Sequence, residues 1–475
     1  MDLAPNDEPL DLNAKSEKFY RKQKFYYLLI KIPFSLMPGV FGMIYVYFFW
    51  DYLEMSQYLF NIGMIVYGIF NALNDPLLGQ WSDRVNVNKW GSRRLIFIKY
   101  GGPIWAILFF VMWIPWSFDN SMVIFLHFII TMVFYDNFLT MVILVWDALL
   151  PEIAKNHQDR TKIFFWGGLV GTIGGVPVLF ALSIFKAGLM GFRIFSGVIA
   201  IVSAVIFYLS ASKLKEKPEL HQETNIPGFF GSLKQCLSSK SFVTFTLYRF
   251  FRVVNDTMSF SFMFVYALLF PSGFETILVV VFAIGGILGQ WIFLKLSEKR
   301  SMQSLIIVGG ILQISISAIA FLISLITGAD IIWYILLMVK ILFGGYSVFV
   351  NPYLLLVADE DEMKFKTRRE GMFLGTNAIF NKIAESVGPI LAVAVLTYFG
   401  YLQNVENYIP RDTTLLGIKI LLFIVPSIMT ILGMIALYFY PIKGDYLKKL
   451  KKYIESSHKE KKEKYLETKN QKKPP

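Results

Sequence analysis

The chain has 475 residues, of which 55% are hydrophobic and 17% charged, with a mean hydropathy of +0.53 and a net charge of +12. Soluble domains carry about a quarter charged residues; a water-soluble fold would have nowhere to hide this much apolar surface, so lipid is the solvent for much of it. The charge does not point to nucleic acid, because twelve lysines fall between Lys443 and Lys473 and most other basic residues sit in short loops, as expected of loops and a tail near anionic lipid.

Cysteine and histidine narrow the class further. The single Cys236 excludes an intramolecular disulfide, and the four scattered histidines have no metal-ligand spacing. No metal site and no cofactor is expected. His127, alone in an apolar stretch, reads as a core residue rather than a proton relay. The acidic start (Asp2, Asp7, Glu8) precedes an apolar run that begins near Phe25, which does not read as a cleavable leader.

Apolar runs of roughly 20 residues predict an all-α membrane protein of about twelve transmembrane helices. A cytoplasmic segment, 1–24, leads into a first six-helix bundle over 25–212, with spans near 25–50, 57–80, 94–116, 121–150, 162–185 and 190–212. A polar linker, 213–240, follows. The second bundle, 241–440, has spans near 241–270, 275–297, 302–327, 330–358, 370–400 and 413–440. In the Lys-rich tail, 441–475, Leu447, Leu450, Tyr453 and Ile454 alternate with lysines, which reads as an amphipathic helix on the membrane surface before a wholly polar end.

Loop charge supports this count independently. Basic loops (Arg84/Lys89/Arg93/Arg94, Lys155/Arg160/Lys162, Lys295/Lys299/Arg300, Lys364/Lys366/Arg368/Arg369) alternate with loops holding Asp51, Glu54, Asp119, Glu275 and Asp330. That alternation fits an even number of spans with both termini cytoplasmic, in a multi-pass plasma-membrane protein. The halves also echo each other, since Leu78-Gly79-Gln80-Trp81 recurs as Leu288-Gly289-Gln290-Trp291 six spans later. Parallel six-helix repeats with a solute site between them describe the major facilitator fold. Glycines at Gly167-Gly168, Gly171 and Gly174-Gly175, and at Gly285-Gly286 and Gly289, allow close helix packing.

The second span reads Asn71-Ala72-Leu73-Asn74-Asp75-Pro76-Leu77-Leu78-Gly79, then Trp90-Gly91-Ser92-Arg93-Arg94. Further motifs follow at Leu149-Leu150-Pro151-Glu152 with Asp159-Arg160-Thr161, and from Ala358-Asp359 through Arg369-Glu370-Gly371 to Asn381-Lys382. Together they resemble the glycoside–pentoside–hexuronide:cation symporter family, typified by the melibiose carrier, over nearly the whole chain. The resemblance implies a cation site in which Asp75 matches the second carboxylate of helix two, Asn71 stands where the first would be, and Lys382 matches the helix-eleven lysine. Asn377 stands at the sugar-contacting glutamine. The galactoside-binding aspartates align with Ser35 and Ile143 and the helix-five arginine with Gly168, so the transport chassis is kept while the known sugar-recognition set is mostly replaced.

A charge at mid-membrane costs roughly 2.5–3.5 kcal/mol on insertion scales, so each intramembrane ionisable residue calls for a partner or a watery cavity. Asp136, Thr140, Ile143 and Asp147 are spaced 4, 3 and 4 and share one helical face, which marks them as cavity-lining candidates, with a gate salt bridge as the rival role for Asp147. Arg252 and Asp256 stand at i and i+4 beside Arg249 and Asn255; they form either a self-neutralising pair or a cluster for a polar or anionic solute. Lys340, Asn377, Asn381 and Glu385 add candidates. Asp83, Arg84, Arg93, Arg94, Glu152, Arg160, Arg368 and Arg369 form a candidate cytoplasmic gate as well as topology-setting charge. One carboxylate and an amide at 71 and 75 leave sodium and proton both open as the coupling ion.

The expected function is cation-coupled symport of a small organic solute, a sugar or glycoside by family default, through alternating access. Two alternatives are a carrier of lysolipids or other amphiphiles, as eukaryotic relatives of the family are, and a non-transporting sensor or scaffold. No phosphate-binding Gly-rich loop or nucleophile–base constellation suggests an enzyme. The expected partners are the solute, the cation and the bilayer, with no nucleic acid and no required oligomer.

Overall fold

A computed structural model of the chain describes residues 8–83, 92, 94–153, 157–216, 229–271, 274–326, 330–365, 370–405, 408–450, 452–454 and 456. Helices fall where the apolar runs place them: α1 (Phe19–Tyr52), α2 (Gln57–Asp83), α3 (Phe97–Val111), α4 (Ser121–Ile153), α5 (Trp166–Ala187) and α6 (Leu189–Lys213). They continue as α7 (Lys240–Ser261), α8 (Glu275–Ser297), α9 (Met302–Ser324), α10 (Asp330–Phe365), α11 (Glu370–Tyr398) and α12 (Asp412–Tyr438). Among the described residues there is no β-strand, and nine helices are long and apolar enough to cross a membrane. The other three are α3, which is short, and α2 and α7, which carry Asn71, Asn74, Arg249, Arg252 and Asp256.

Helix α4 shows how lipid shapes the pattern. Met122, Leu126, Ile130 and Phe134 recur every fourth residue and are exposed, whereas His127, Thr131 and Asp136 are buried. In water that distribution would be inverted; in a bilayer the apolar stripe faces acyl chains and polar groups turn to neighbouring helices. His127 sits among rings, stacked at 5.0 Å on Trp116 and edge-on to Phe49 at 5.1 Å. In α6, Ser196, Ser203 and Ser210 are buried at heptad spacing while Ile194, Val198, Ile201 and Val205 face outward, so its small residues make the helix contact.

By internal packing the chain forms two units. The first comprises Met1–Asn225, Thr257–Val279 and Pro389–Thr414. It holds α1–α6 together with the tip that follows α7, the start of α8, and the end of α11 with its following loop. Its core is aromatic: Tyr27 stacks on Trp146 at 4.3 Å, Phe34 meets Trp146 edge-on at 5.2 Å, and Phe41 stacks on Tyr135 at 4.5 Å. At the tips Lys186 pairs with Glu275 at 2.9 Å and Ser183 with Thr276 at 2.6 Å.

The second unit comprises Ile226–Asp256, Val280–Gly388 and Leu415–Pro475. Here α8 and α10 touch backbone to backbone: a methyl placed on Gly345 would lie 2.1 Å from the carbonyl carbon of Gly289, and one on Gly289 would lie 2.4 Å from the carbonyl oxygen of Leu342. Only glycine permits that approach. The linker expected to be merely polar contains a helix, Phe229–Ser238, whose Cys236 is buried in an apolar cluster with Phe242, Leu354, Val357, Phe373 and Tyr440. The tail reaches the same cluster. Its residues 444–450 and 452–454 are helical, Leu450 is 0% exposed, and Tyr446, Leu447 and Ile454 pack alongside. The expected membrane-surface helix therefore spends its apolar face on protein, because the cluster offers it a better-packed partner than headgroups do. Tyr446 donates to Glu360 Oε1 at 2.8 Å, the oxygen that Lys364 also binds at 2.8 Å.

Candidate functional site

In the first unit, Tyr67, Asn71 and Asn74 follow one another at 4 and 3 residues and so face α4 together. Tyr67 Oη donates to Asp136 Oδ1 at 3.2 Å, and Asn74 Nδ2 donates to Asp136 Oδ2 at 2.9 Å. Asn71 Nδ2 in turn donates to Tyr67 Oη at 2.9 Å. All four are buried, with Asp136 8% exposed and Asn71 2%. Asn71 Oδ1 is buried with no hydrogen-bond partner among the described residues. A buried acceptor left unmatched costs about 1–3 kcal/mol, and a water or a hard cation would satisfy it. Sequence reasoning marked Asn71 and Asp136 but missed Tyr67 and Asn74, whose signal was their spacing against Asn71.

The other candidates in this unit divide. Thr140 is buried, Ile143 half-buried, and Asp147 exposed. Ser35 donates to the Lys31 carbonyl at 3.1 Å and lies against Gly171. Gly168 has open space where a side chain would be. Lys31, overlooked inside the apolar run of α1, places its ammonium 4.2 Å above the Trp146 ring and faces the charge of Asp147. Its signal was plain: it is a lysine six residues into a span.

Of the candidate gate residues, Arg94 has its side chain described. Its guanidinium donates to the Ala148 carbonyl at 2.7 Å, and the main-chain N–H groups of Arg94 and Leu95 both donate to Glu216 Oε1, at 2.7 and 2.6 Å. A carboxylate on the free N–H groups that open a helix is the stabilising arrangement there. Gln23 braces the same region, donating to the Lys213 carbonyl at 2.9 Å and accepting from Lys215 N at 2.8 Å. The side chains of Asp75, Asp83, Arg84, Arg93, Glu152, Arg160, Arg368 and Arg369 lie outside the described residues.

In the second unit the Arg252–Asp256 pair closes, with Nε 3.0 Å from Oδ1 and 3.1 Å from Oδ2. The guanidinium also lies over the Tyr346 ring, whose hydroxyl donates to Gln313 Oε1 at 2.9 Å. Arg252 Nη1 and Asn255 Oδ1 are buried with no hydrogen-bond partner among the described residues. Arg249 lies in the field of Asp256 and of Glu385 on α11. Lys340 is buried and donates to the Leu422 carbonyl, with the Phe423 ring 5.2 Å away. That carbonyl lies in a π-helical segment, Ile420–Ile424, where the ordinary helix ladder is interrupted. Asn377 is buried and Asn381 half-buried, each with an unmatched Oδ1, and Lys382 is half-buried. Among the described residues no group of three His, Cys, Asp or Glu side chains is placed to hold a metal.

Comparison with known proteins settles the lineage. The model of a family described as MFS/sugar transport protein matches residues 26–444. The chain belongs to that family. It is 34% identical over 197 residues to transmembrane protein 180 of Gallus gallus, an alignment covering 39% of this chain and 38% of that one. It is thus matched to well under half the length of that relative. Along nearly its whole length it is 22% identical, over 465 residues, to a putative sulfoquinovose importer of Salmonella typhimurium, covering 92% of this chain and 91% of that one. Among solved structures, the nucleoside transporter NupG superposes with a TM-score of 0.62 at 14% identity, covering 90% of this chain and all of that one. At that identity the likeness establishes the fold, an all-α multi-pass membrane architecture of the major facilitator kind.

Proposed function

We propose that this chain carries a small organic solute across the membrane by cation-coupled symport, through alternating access. The observation that carries the reading is the family match over residues 26–444, joined to charged and amide groups buried within spans where lipid would leave them unpaired. A sugar or glycoside is the favoured solute class, in keeping with the family's description and with an importer named for a sulfonated sugar among the relatives.

In this reading Asp75 and Lys382 form the cation-coupling pair, and Asn71 supplies a neutral oxygen. Ser35, Asp136, Thr140, Ile143, Asp147, Arg252, Asp256, Lys340, Asn377 and Asn381 line or support the solute path, with Lys31 added to that set. Asp83, Arg84, Arg93, Arg94, Glu152, Arg160, Arg368 and Arg369 close it on the cytoplasmic side. The protein sits in the plasma membrane with both termini inside and acts without a required oligomer. Binding energy released when cation and solute occupy one arrangement biases a two-state carrier toward it, which is all that coupling demands.

The deciding experiment is uptake into proteoliposomes under imposed sodium or proton gradients, with a panel of sugars, glycosides, sulfonated sugars and lysophospholipids. Gradient-driven accumulation of a sugar or glycoside is the expected result. Accumulation of lysophospholipids alone would establish the amphiphile reading, and binding without flux across the whole panel would establish a sensor.

A further inference from the structure

The tail helix has two faces, and the second unit uses only one of them. Leu447, Leu450 and Ile454 follow one another at 3 and 4 residues and, with Tyr446, meet the apolar cluster. Tyr446 donates to Glu360 Oε1 and Tyr453 to the Glu362 carbonyl at 3.4 Å, so the helix is held along the end of α10. On the opposite side stand Lys448, Lys449 and Lys452, each exposed, with Lys452 three and four residues after the other two. Lys448 pairs with Asp445 at 2.8 Å, but both side chains are over three-quarters exposed, and such a pair contributes little. Lysines at i and i+4, such as Lys448 and Lys452, repel and weaken a bare helix.

The depth of this face follows from the end of α12. Tyr438 and Phe439 are 71% and 56% exposed, and rings at the end of a span sit at headgroup level. The chain does not run away from that level. Lys443 Nζ turns back to donate to the Tyr438 carbonyl at 3.0 Å and lies 5.1 Å from the centre of its ring. Gly444, at φ 56°, then makes a left-handed turn that glycine accepts without strain, and the tail helix begins there. The polar layer of each leaflet is about 5–8 Å deep, so a helix that starts beside the ring of Tyr438 and lies along the end of α10 runs within or against it. α8, another even-numbered span, ends in the same way: Lys295 Nζ is 4.0 Å from the centre of the exposed Trp291 ring.

We propose that the lysine face of the docked tail helix is a binding surface for anionic lipid headgroups, held by charge and without insertion. The apolar side chains that would enter a bilayer are already committed to the cluster, which leaves ammonium groups to meet phosphate oxygens. Lys448, Lys449 and Lys452 share one face only while the helix is formed, and an anionic surface removes their mutual repulsion. Lipid binding and docking of the tail on α10 therefore favour each other, by reciprocity of coupled equilibria. Position is what selects a bilayer over a soluble polyanion, since the face lies at the level of the interfacial rings. The inference takes from the transport reading only the side on which the tail lies, the leaflet where anionic lipid is concentrated.

The test places the full-length chain in nanodiscs of phosphatidylcholine alone, or of phosphatidylcholine and phosphatidylglycerol in equal parts. Amide exchange across residues 444–454 is followed at neutral pH. A lysine near an anionic surface contributes about fivefold to binding, so exchange should slow on the order of tenfold in the anionic discs. Added salt should erase the difference. Changing Lys448, Lys449 and Lys452 together to Gln should leave docking intact in phosphatidylcholine and remove the response to lipid charge, whereas changing all three to Arg should keep it. Leu450→Ala, which loosens docking itself, should speed exchange in both lipids. Exchange indifferent to lipid charge in the native chain would overturn the proposal, as would a full response in the triple Gln variant. Equal protection by soluble glycerol phosphate in phosphatidylcholine discs would also overturn it, since the face would then hold counter-ions only. Solute uptake with lipid-indifferent exchange would sink the lipid surface alone, and lipid-responsive exchange without uptake would sink the symport reading alone.

Discussion

Tyr67 on α2 donates its hydroxyl proton to Asp136 on α4 at 3.2 Å while accepting from Asn71 at 2.9 Å. Tyr67→Phe therefore takes a donor from a buried carboxylate and an acceptor from a buried amide in one step. The expected cost is about 1–3 kcal/mol, read as a lower thermal midpoint in detergent. Combining Tyr67→Phe with Asp136→Leu should recover part of that loss, since an apolar pair avoids stranding the carboxylate. A double variant less stable than the sum of the singles would count against the network.

The coupling pair makes a sharper demand. If Asp75 exchanges its lysine contact for the cation, its charge is needed for concentrative uptake but not for every movement of solute. Asp75→Asn should abolish gradient-driven accumulation and leave downhill exchange. Asn71→Asp should shift preference toward sodium, because a second anionic oxygen favours a hard cation. Full accumulation by Asp75→Asn would remove Asp75 from the coupling role.

Lys186 and Glu275, 89 residues apart, are each less than a third exposed. Reversing either charge should weaken the tips of the first unit, and reversing both should restore them. A double-mutant cycle on thermal unfolding should return about 0.2–1 kcal/mol of coupling; zero coupling would make the pair incidental.

The tail helix carries a pH signature of its own. Tyr446 is pushed up to about 12, by burial first and then by its hydrogen bond to Glu360, from a usual value of 10.0. A phenol raised on docking stabilises the docked form below its usual range and loses that contribution as pH climbs through the raised value. Amide exchange across residues 444–454 should therefore be slow at neutral pH and speed up beyond simple base catalysis between about 10 and 12. Tyr446→Phe should flatten that change, and Leu450→Ala, which removes a fully buried side chain, should speed exchange at all pH.

Span positions were open to reading because the hydrophobic run and its charged borders mark them directly. α8 begins at Glu275 and ends at Ser297, where the apolar stretch itself begins and ends. The π-helical turns at Tyr47–Tyr52 and Ile420–Ile424 leave no trace in hydropathy, since they alter carbonyl register rather than polarity. Asp136 was conspicuous as an acid in a span, but its partners lie 62 and 69 residues away on another helix. Gln403 looked like an ordinary loop residue, yet its side-chain amide donates to the carbonyls of Trp50 and Met55, 353 and 348 positions earlier. Composition and period identify which residues are unusual, whereas pairing across the fold needs coordinates. The tail was misplaced for a related reason: an amphipathic face announces that it will be covered, not by what.

The glycine contact between α8 and α10 has a mechanical consequence. With Gly345 against Gly289 and no side chain between the two backbones, there is no compliant layer to absorb sliding of one helix along the other. A carrier that alternates between two shapes must then turn α8 and α10 as a single lever. Whatever bending its cycle requires is left to places away from that contact where a helix already departs from regular winding, such as Ile420–Ile424.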